Sequence, residues 1–593
     1  MFARKATIGV MLCAVAALLG PAAGAGEVTV EKVDTPKVLT DKYVDTTSLE
    51  GIVNGIVKEG MSDQEKLIAF YHWYRRLIFH HRYMGGDRRN VLNTINSYGN
   101  NLCGSQAGAL VVILKKAGFE TRVVCGEGGK GFGGHTFVEV KCDGKWHCID
   151  TMTNFFVFNR ENPPQIASLD EMKKDPTLVT KAVEEKRAPP GFITCMNDPE
   201  ITVKDIPRLE GELGMKADRR WATLTFEGGS LLEFWAKAPK KWRTLTTGNY
   251  GGHYIPGILD IVLKPNEEYV RLWDNVGKWI AGPSYACHGP HHTCGHTDED
   301  DTLNFPFFEP YKKTNFGLTK TCYRYYGNGW LDWRPDAVAG EVEAGCDKVD
   351  NLVREGSTFK IKEAGKDGVM EISVKSPYAI TDVELELEAD GANPPLVSMG
   401  TTDRKKRTRF GPMPHPQKVK GVLRYATEQE NPLYEYKLQI KAQGDTAFRV
   451  VGLKTTFQLN IYALPGFFPG KNTVTVSAKA PVKLDRKRLF VTYEWDEGPG
   501  WTTPRTLTKQ IAEFPASYDV DVKGPKMPRM KRIVMKLAEK GIEKPKKTPA
   551  KKARPAGAPA AETSRDRREK PRRPQTGTVP WEPIHTPRSF ART

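Results

Sequence analysis

The chain has 593 residues, ten of them cysteine, and a formal net charge of +17 at pH 7. That length exceeds what one hydrophobic core supports, so several domains are expected. Residues 523–593 carry +15 of the charge and Arg4 and Lys5 the remaining +2, leaving a nearly neutral body in which no dedicated nucleic-acid site is expected.

At the N-terminus Arg4 and Lys5 precede an apolar run from Ala6 to Leu19, and Ala23-Gly24-Ala25 offers a small-residue cleavage site. That is the pattern of a secretory signal peptide over residues 1–25. Cys13 follows Leu12 rather than a small residue, which argues against lipoprotein processing. No later stretch is apolar enough to span a membrane. A secreted, periplasmic or cell-surface protein is expected, with no transmembrane segment.

Residues 26–48 read as a polar lead-in. Ser62, with Glu65 three residues on, is a capping box that opens a helix whose buried face is Leu67, Phe70, Tyr71, Tyr74, Leu77 and Ile78. Trp73 on this helix reads as a core or surface aromatic. A second helix is expected over residues 104–116, with Ala107, Leu110, Val111 and Leu114 on one face and Gly118 as its stop. Cys103 then sits at its N-terminus, where unpaired backbone N–H groups favour a thiolate and can donate to an oxyanion. The glycines of GEGGKGFGG, after Cys125, match G-x-G-x-x-G but run into a strand rather than a helix, so a mobile loop is the reading and a phosphate site is not.

Strands are expected from His135 to Lys141 and from Lys145 to Asp150, joined at Asp143-Gly144, a two-residue hairpin turn signal. If Cys142 faces Lys145, His135 faces Met152. Asp150 becomes the same-face diagonal neighbour of His135, with Cβ atoms roughly 7 Å apart, within reach of an imidazole nitrogen. Cys103, His135 and Asp150 thus supply a thiol, a base and a carboxylate to orient it. The plain alternative is a small buried Cys and a satisfied structural His.

In their order, Leu102-Cys103-Gly104, Ala117-Gly118-Phe119-Glu120-Thr121-Arg122-Val123, Gly134-His135-Thr136-Phe137-Val138-Glu139-Val140 and Trp146-His147-Cys148-Ile149-Asp150 resemble the transglutaminase-like superfamily. The resemblance runs over roughly Leu49 to Arg160. It implies a papain-like core with catalytic Cys103, His135 and Asp150. The chain departs from the pattern at Phe137, two positions after the His, and at Thr151, where Pro often follows the Asp. Such chemistry requires no metal or organic cofactor, although some relatives use calcium. An upstream Trp near the oxyanion, as in some relatives, would correspond to Trp73.

Beyond about residue 200 the chain turns to short strands and turns. Ile258 to Leu263, Tyr434 to Ile440 and Leu489 to Trp495 are the clearest strands, the second alternating Tyr434, Tyr436, Leu438 and Ile440 with polar residues. The expected class is α+β: a transglutaminase-like core with a trailing connector over 49–204, a β-rich domain over 205–345, a β-sandwich over 346–522 and a disordered basic tail over 523–593. The tail's charge suits an acidic envelope polymer, and a tail with no dedicated partner is the alternative.

Cys287, His288, His291, His292, Cys294 and His296 crowd one segment. Their spacing matches no standard zinc finger, so a disulfide-closed polar loop is expected, with metal binding as the alternative. Asp298, Glu299, Asp300 and Asp301 lack calcium-loop spacing and read as a solvated turn. With Cys103 free and Cys13 removed, eight cysteines remain for disulfides, Cys287 with Cys294 and Cys322 with Cys346 being the nearest pairs. A Cys142–Cys148 bridge is disfavoured, because the hairpin register sends the two to opposite faces.

The expected function is an exported cysteine enzyme performing acyl transfer or hydrolysis on a protein or peptide amide. The alternative is a non-catalytic cell-surface or glycan-binding structural protein that uses the core as a scaffold.

Overall fold

The computed structural model describes residues 31–80, 90–101, 103–126, 135–189, 235, 242–245, 260–273, 279–281, 324–390, 394–402, 408–412, 420–426 and 433–540. The expected signal peptide over residues 1–25, the Gly-rich loop, the 287–301 cluster and residues 541–593 lie outside them.

The first helical layer forms as the sequence dictates. Ser62 caps the helix Asp63–Leu77, accepting from the Glu65 N–H while the Glu65 carboxylate accepts from the Ser62 N–H. Its Leu67, Phe70, Tyr71, Tyr74 and Leu77 are buried. The helix Cys103–Lys116 buries Ala107, Leu110, Val111 and Leu114, and Gly118, at φ 93°, ends it. This helix packs on the strands Glu120–Gly126 and His135–Cys142, with the helices Leu49–Ile56 and Asp63–Leu77 behind it.

Those strands belong to a four-stranded antiparallel sheet, with Lys145–Ile149 on one edge and Trp242–Leu245 on the other. The edge strand 242–245 comes from what the sequence assigns to the next domain. Core and β-rich portions therefore interlock, because a strand far along the chain closes the open edge at Val123–Gly126.

The rest of the described chain is β-rich, with large antiparallel sheets. One hydrogen-bonded set of 14 strands is built around the long strand Gly368–Asp390, which pairs with Leu433–Ala442, Ala447–Gln458 and Lys420–Ala426. In Leu433–Ala442 the buried residues Tyr436, Leu438 and Ile440 alternate with more open polar ones, the expected pattern.

Three expected boundaries shift. Strand Gly329–Trp333 pairs with both Glu267–Leu272 and Ala447–Gln458, so one sheet runs across the expected break at 345/346. The lead-in is knitted into the body: Lys37–Thr40 pairs with Gly470–Ser477, and Val33–Asp34 with Val262–Leu263. Strand Arg529–Glu539 pairs on both sides, with Lys487–Glu497 and Glu267–Leu272, so ordered chain extends past 523. In each case the partner is distant in sequence, where local patterning gives no signal.

The cysteine expectation needs correction too. Cys103, Cys125, Cys142, Cys148 and Cys346 are all free thiols. Cys346 donates to the Val342 carbonyl at 3.0 Å, so the expected Cys322–Cys346 bridge is not formed. Cys142 and Cys148 do face different cores, as the register requires. Cys195, Cys287, Cys294 and Cys322 lie outside the described residues.

Candidate active site

The hairpin sets the site's geometry. Asp143 and Gly144 adopt φ of 50° and 79°, the left-handed pair of a tight hairpin turn, and Cys142 faces Lys145. The ladder runs to Val138 opposite Ile149. There the second strand departs: Asp150 pairs with Phe155, its N–H donating to the Phe155 carbonyl at 2.8 Å and its carbonyl accepting at 2.9 Å. The turn Thr151–Asn154 replaces the straight continuation to Met152. The Asp150 side chain still reaches the His135 face.

His135 Nε2 lies 2.7 Å from Asp150 Oδ2, and the two residues are 1% and 4% exposed. A carboxylate only accepts, so Nε2 donates and Nδ1 is left for the thiol. A side-chain hydrogen bond joins His135 to Cys103, which heads its helix half-buried. The structure thus brings together the three residues named from sequence.

Asp150 is saturated with donors. Besides His135, the Met152 N–H donates to Oδ1 at 3.0 Å, the Thr153 N–H to Oδ2 at 3.3 Å, and the Thr153 hydroxyl to Oδ2. Burial favours the neutral acid, but the His135 charge and hydrogen bond, then Thr153 and Met152, hold the carboxyl below its usual range. Burial likewise works against a charged His135, yet Asp150 and Cys103 carry the ring up to about 10. At Cys103 burial pushes the thiol up, and the hydrogen bond and charge of His135, with a backbone bond from Thr136, outweigh it and bring it below its ordinary value. The arrangement favours a thiolate beside an imidazolium.

The turn that carries Asp150 is braced from both sides. Tyr71 donates to Asn154 Oδ1 at 2.8 Å and Arg75 Nη1 to the Thr151 carbonyl at 3.1 Å, both from the Asp63–Leu77 helix. On the other side Trp235 Nε1 donates to Thr153 Oγ1 at 3.2 Å. Trp235 also stacks on Phe155, with centroids 3.7 Å apart and planes 8° apart, and stands edge-on to His135 at 6.3 Å. Trp73 lies in the core, as its plain reading has it.

Ahead of Cys103, residues 90–101 dock on the β-rich portion. Asn460 Nδ2 donates to the carbonyls of Leu77 and Ile95, at 3.1 and 2.7 Å, and its N–H to that of Asn96 at 2.7 Å. The Ala379 N–H donates to Ser97 Oγ and Gln458 Nε2 to the Ser97 carbonyl, each at 3.3 Å. Gly99, at φ 64°, sits where a Cβ would lie 2.6 Å from the Asn460 side chain, so close approach and conformation both demand glycine.

Sequence reasoning missed Thr153, Trp235 and Asn460. Short polar residues in the turn after Asp150 were the available signal for Thr153. For the other two no local signal exists.

Residues 50–151 match the family model of the Transglutaminase-like superfamily. That transglutaminase-like domain holds Cys103, His135 and Asp150, and excludes Thr153 and Trp235. No curated protein matches the chain. Among solved structures, the N-terminal CBM22-1-CBM22-2 tandem domain of Paenibacillus barcinonensis Xyn10C is similar over 36% of this chain and 88% of its own, at 10% identity and a TM-score of 0.13. A score that low carries no argument about fold or ligand. Among the described residues no group of His, Cys, Asp and Glu is arranged to hold a metal ion, and no helix is long and apolar enough to cross a membrane.

Proposed function

We propose that this protein is a cysteine enzyme acting on protein or peptide amides through Cys103, His135 and Asp150. The observation that carries the reading is the buried His135–Asp150 contact at 2.7 Å beside a half-buried Cys103, with Cys103 shifted down and His135 up. Cys103 Sγ attacks the carbonyl carbon and forms a C–S bond. As the tetrahedral intermediate collapses, the C–N bond breaks and the His135 proton passes to the leaving ammonia or amine. Backbone N–H groups at the start of the Cys103–Lys116 helix can donate to the oxyanion. Water or a second amine then attacks the thioester, giving its proton to His135, and the C–S bond breaks to restore the thiolate beside the imidazolium. Asp150 holds the ring throughout and stabilises its charged form.

Export of the enzyme is supported by the N-terminal leader pattern, and attachment to an acidic envelope polymer by the basic C-terminal segment. The test is incubation with a glutamine-containing peptide and a labelled amine. Incorporation that disappears in Cys103→Ala is the expected result for transfer, and Cys103-dependent release of ammonia or peptide for hydrolysis. Neither product, from wild-type protein tested against a panel of such peptides, would leave the scaffold reading standing.

A further inference from the structure

We propose that Thr153 and Trp235 are positioning residues for this site, forming a donor chain that keeps Asp150 ionised and so keeps Cys103 a thiolate. The inference rests on the reading above and extends the site beyond the transglutaminase-like segment.

Hydrogen-bond polarity carries the argument. An indole N–H can only donate, so Thr153 Oγ1 must accept from Trp235 Nε1, at 3.2 Å. The hydroxyl proton is then free to point elsewhere, and it points at Asp150 Oδ2. The same oxygen receives His135 Nε2 at 2.7 Å. Every donor in the line from Trp235 through Thr153 to Asp150 therefore faces the carboxylate, and nothing in it favours the neutral acid. Bonds of one polarity reinforce each other in a dry site, and this one is dry: Thr153 and Trp235 are 0% exposed.

Packing fixes the indole where this is possible. Its face lies on Phe155, whose backbone exchanges both hydrogen bonds with Asp150. Its edge meets His135 and Phe137, with centroids 6.3 and 5.0 Å away. A few residues on, the strand Trp242–Leu245 joins the sheet edge at Val123–Gly126, so one returning segment supplies both the sheet's last strand and the indole. The segment 50–151 alone has the reacting groups without this support.

The experiment measures the rate of Cys103 alkylation by iodoacetamide against pH in the full-length protein, with Cys103→Ala as the background. It needs no substrate. Thr153→Val keeps the shape and removes the hydroxyl; Trp235→Phe keeps a ring on Phe155 and removes the N–H. The wild type is expected to react well below the range of ordinary thiols. Thr153→Val should slow alkylation at pH 6 by about tenfold, the equivalent of one hydrogen bond to a charged group, and move its profile to higher pH. Trp235→Phe should shift it less in the same direction, and Thr153→Ser should restore it. A Thr153→Val profile that overlays the wild type, even with lowered thermal stability, reduces Thr153 to a packing role and overturns the proposal. An unshifted Trp235→Phe profile removes Trp235 from it. If the wild type itself shows no reactivity at low pH, the enzyme reading is what fails, and the two failures are distinct.

Discussion

The two ends of the 135–149 hairpin hold the same residue types to different effect. At the open end, His135 touches a carboxylate and a thiol. At the turn end, His147 sits between backbone carbonyls, Nδ1 2.5 Å from that of Ile166 and Nε2 3.1 Å from that of Cys142. The thiols differ to match. Burial, with Asp63 and Asp143 nearby, pushes Cys142 up to about 12, and Cys148, fully buried, is raised well above its ordinary value. Burial acts on Cys103 in the same direction, and His135 reverses it. Cysteine and histidine in one hairpin thus do not make a reactive centre; a charged ring in contact with the sulfur does.

The sharpest way to break the comparison is to make the open end resemble the turn end. His135→Asn removes the imidazolium and leaves Cys103 with burial opposed only by the Thr136 backbone bond and the helix terminus, so its alkylation at neutral pH should fall by about 100-fold or more, the usual scale of a positioned acid or base. Cys142→Ala should leave the wild-type rate unchanged. Single-turnover labelling read by mass spectrometry at each cysteine checks both. A neutral-pH rate that survives His135→Asn would locate the activation of Cys103 in the helix terminus instead.

A second contrast separates charged from neutral buried networks. The Asn460 dock consists of an amide and backbone groups, fully used and without a titratable member. Asn460→Ala leaves the carbonyls of Leu77 and Ile95 without their side-chain donor, and should lower stability by about 2–3 kcal/mol in urea unfolding. The pH profile of Cys103 alkylation should not move. If it moves, the dock also tunes the thiol through the 90–101 segment, and the contrast between the two networks dissolves.

How much of this was legible follows the distance between partners. The helix at Cys103 was readable because its apolar period and its glycine stop are local. The pairing of Cys142 with Lys145 was readable because Asp143-Gly144 dictates it. Extrapolating that register past Ile149 found the right face for Asp150 but not the path, since the chain leaves the ladder there for the Thr151–Asn154 turn. Trp235, Asn460 and the strand Lys37–Thr40 were illegible for one reason: their partners are remote. Lys37–Thr40 shows it best, its four residues meaning nothing until Val38 and Thr40 turn inward against Gly470–Ser477. The Cys322–Cys346 expectation failed because parity counts cysteines without placing them.

The smallest expected effect is the most specific to a thiolate and imidazolium pair. Unfolded, His135 titrates near 6.5 and Cys103 near 9.0; folded, His135 is raised to about 10 and Cys103 is lowered. Above 6.5, and between the lowered Cys103 value and 9.0, the unfolded chain holds its one shared proton on sulfur and the folded chain on the ring, so proton uptake is equal and this pair adds no slope to stability. Above 9.0 the unfolded pair has lost that proton while the folded ring keeps it, and stability falls with rising pH until His135 titrates near 10. The lowered Cys103 and Asp150 groups contribute stability that is lost as the pH falls through their folded values. Cys103→Ala removes the compensating thiol. Its raised His135 then loses stability from 6.5 upward, at a limit of about 1.4 kcal/mol per pH unit, whereas the wild type is level from the lowered Cys103 value up to 9.0. The difference between the two urea-unfolding curves across pH 6.5 to 9.0 cancels every other titrating group. Parallel curves there would mean that Cys103 is a neutral thiol at rest, like Cys142 and Cys148.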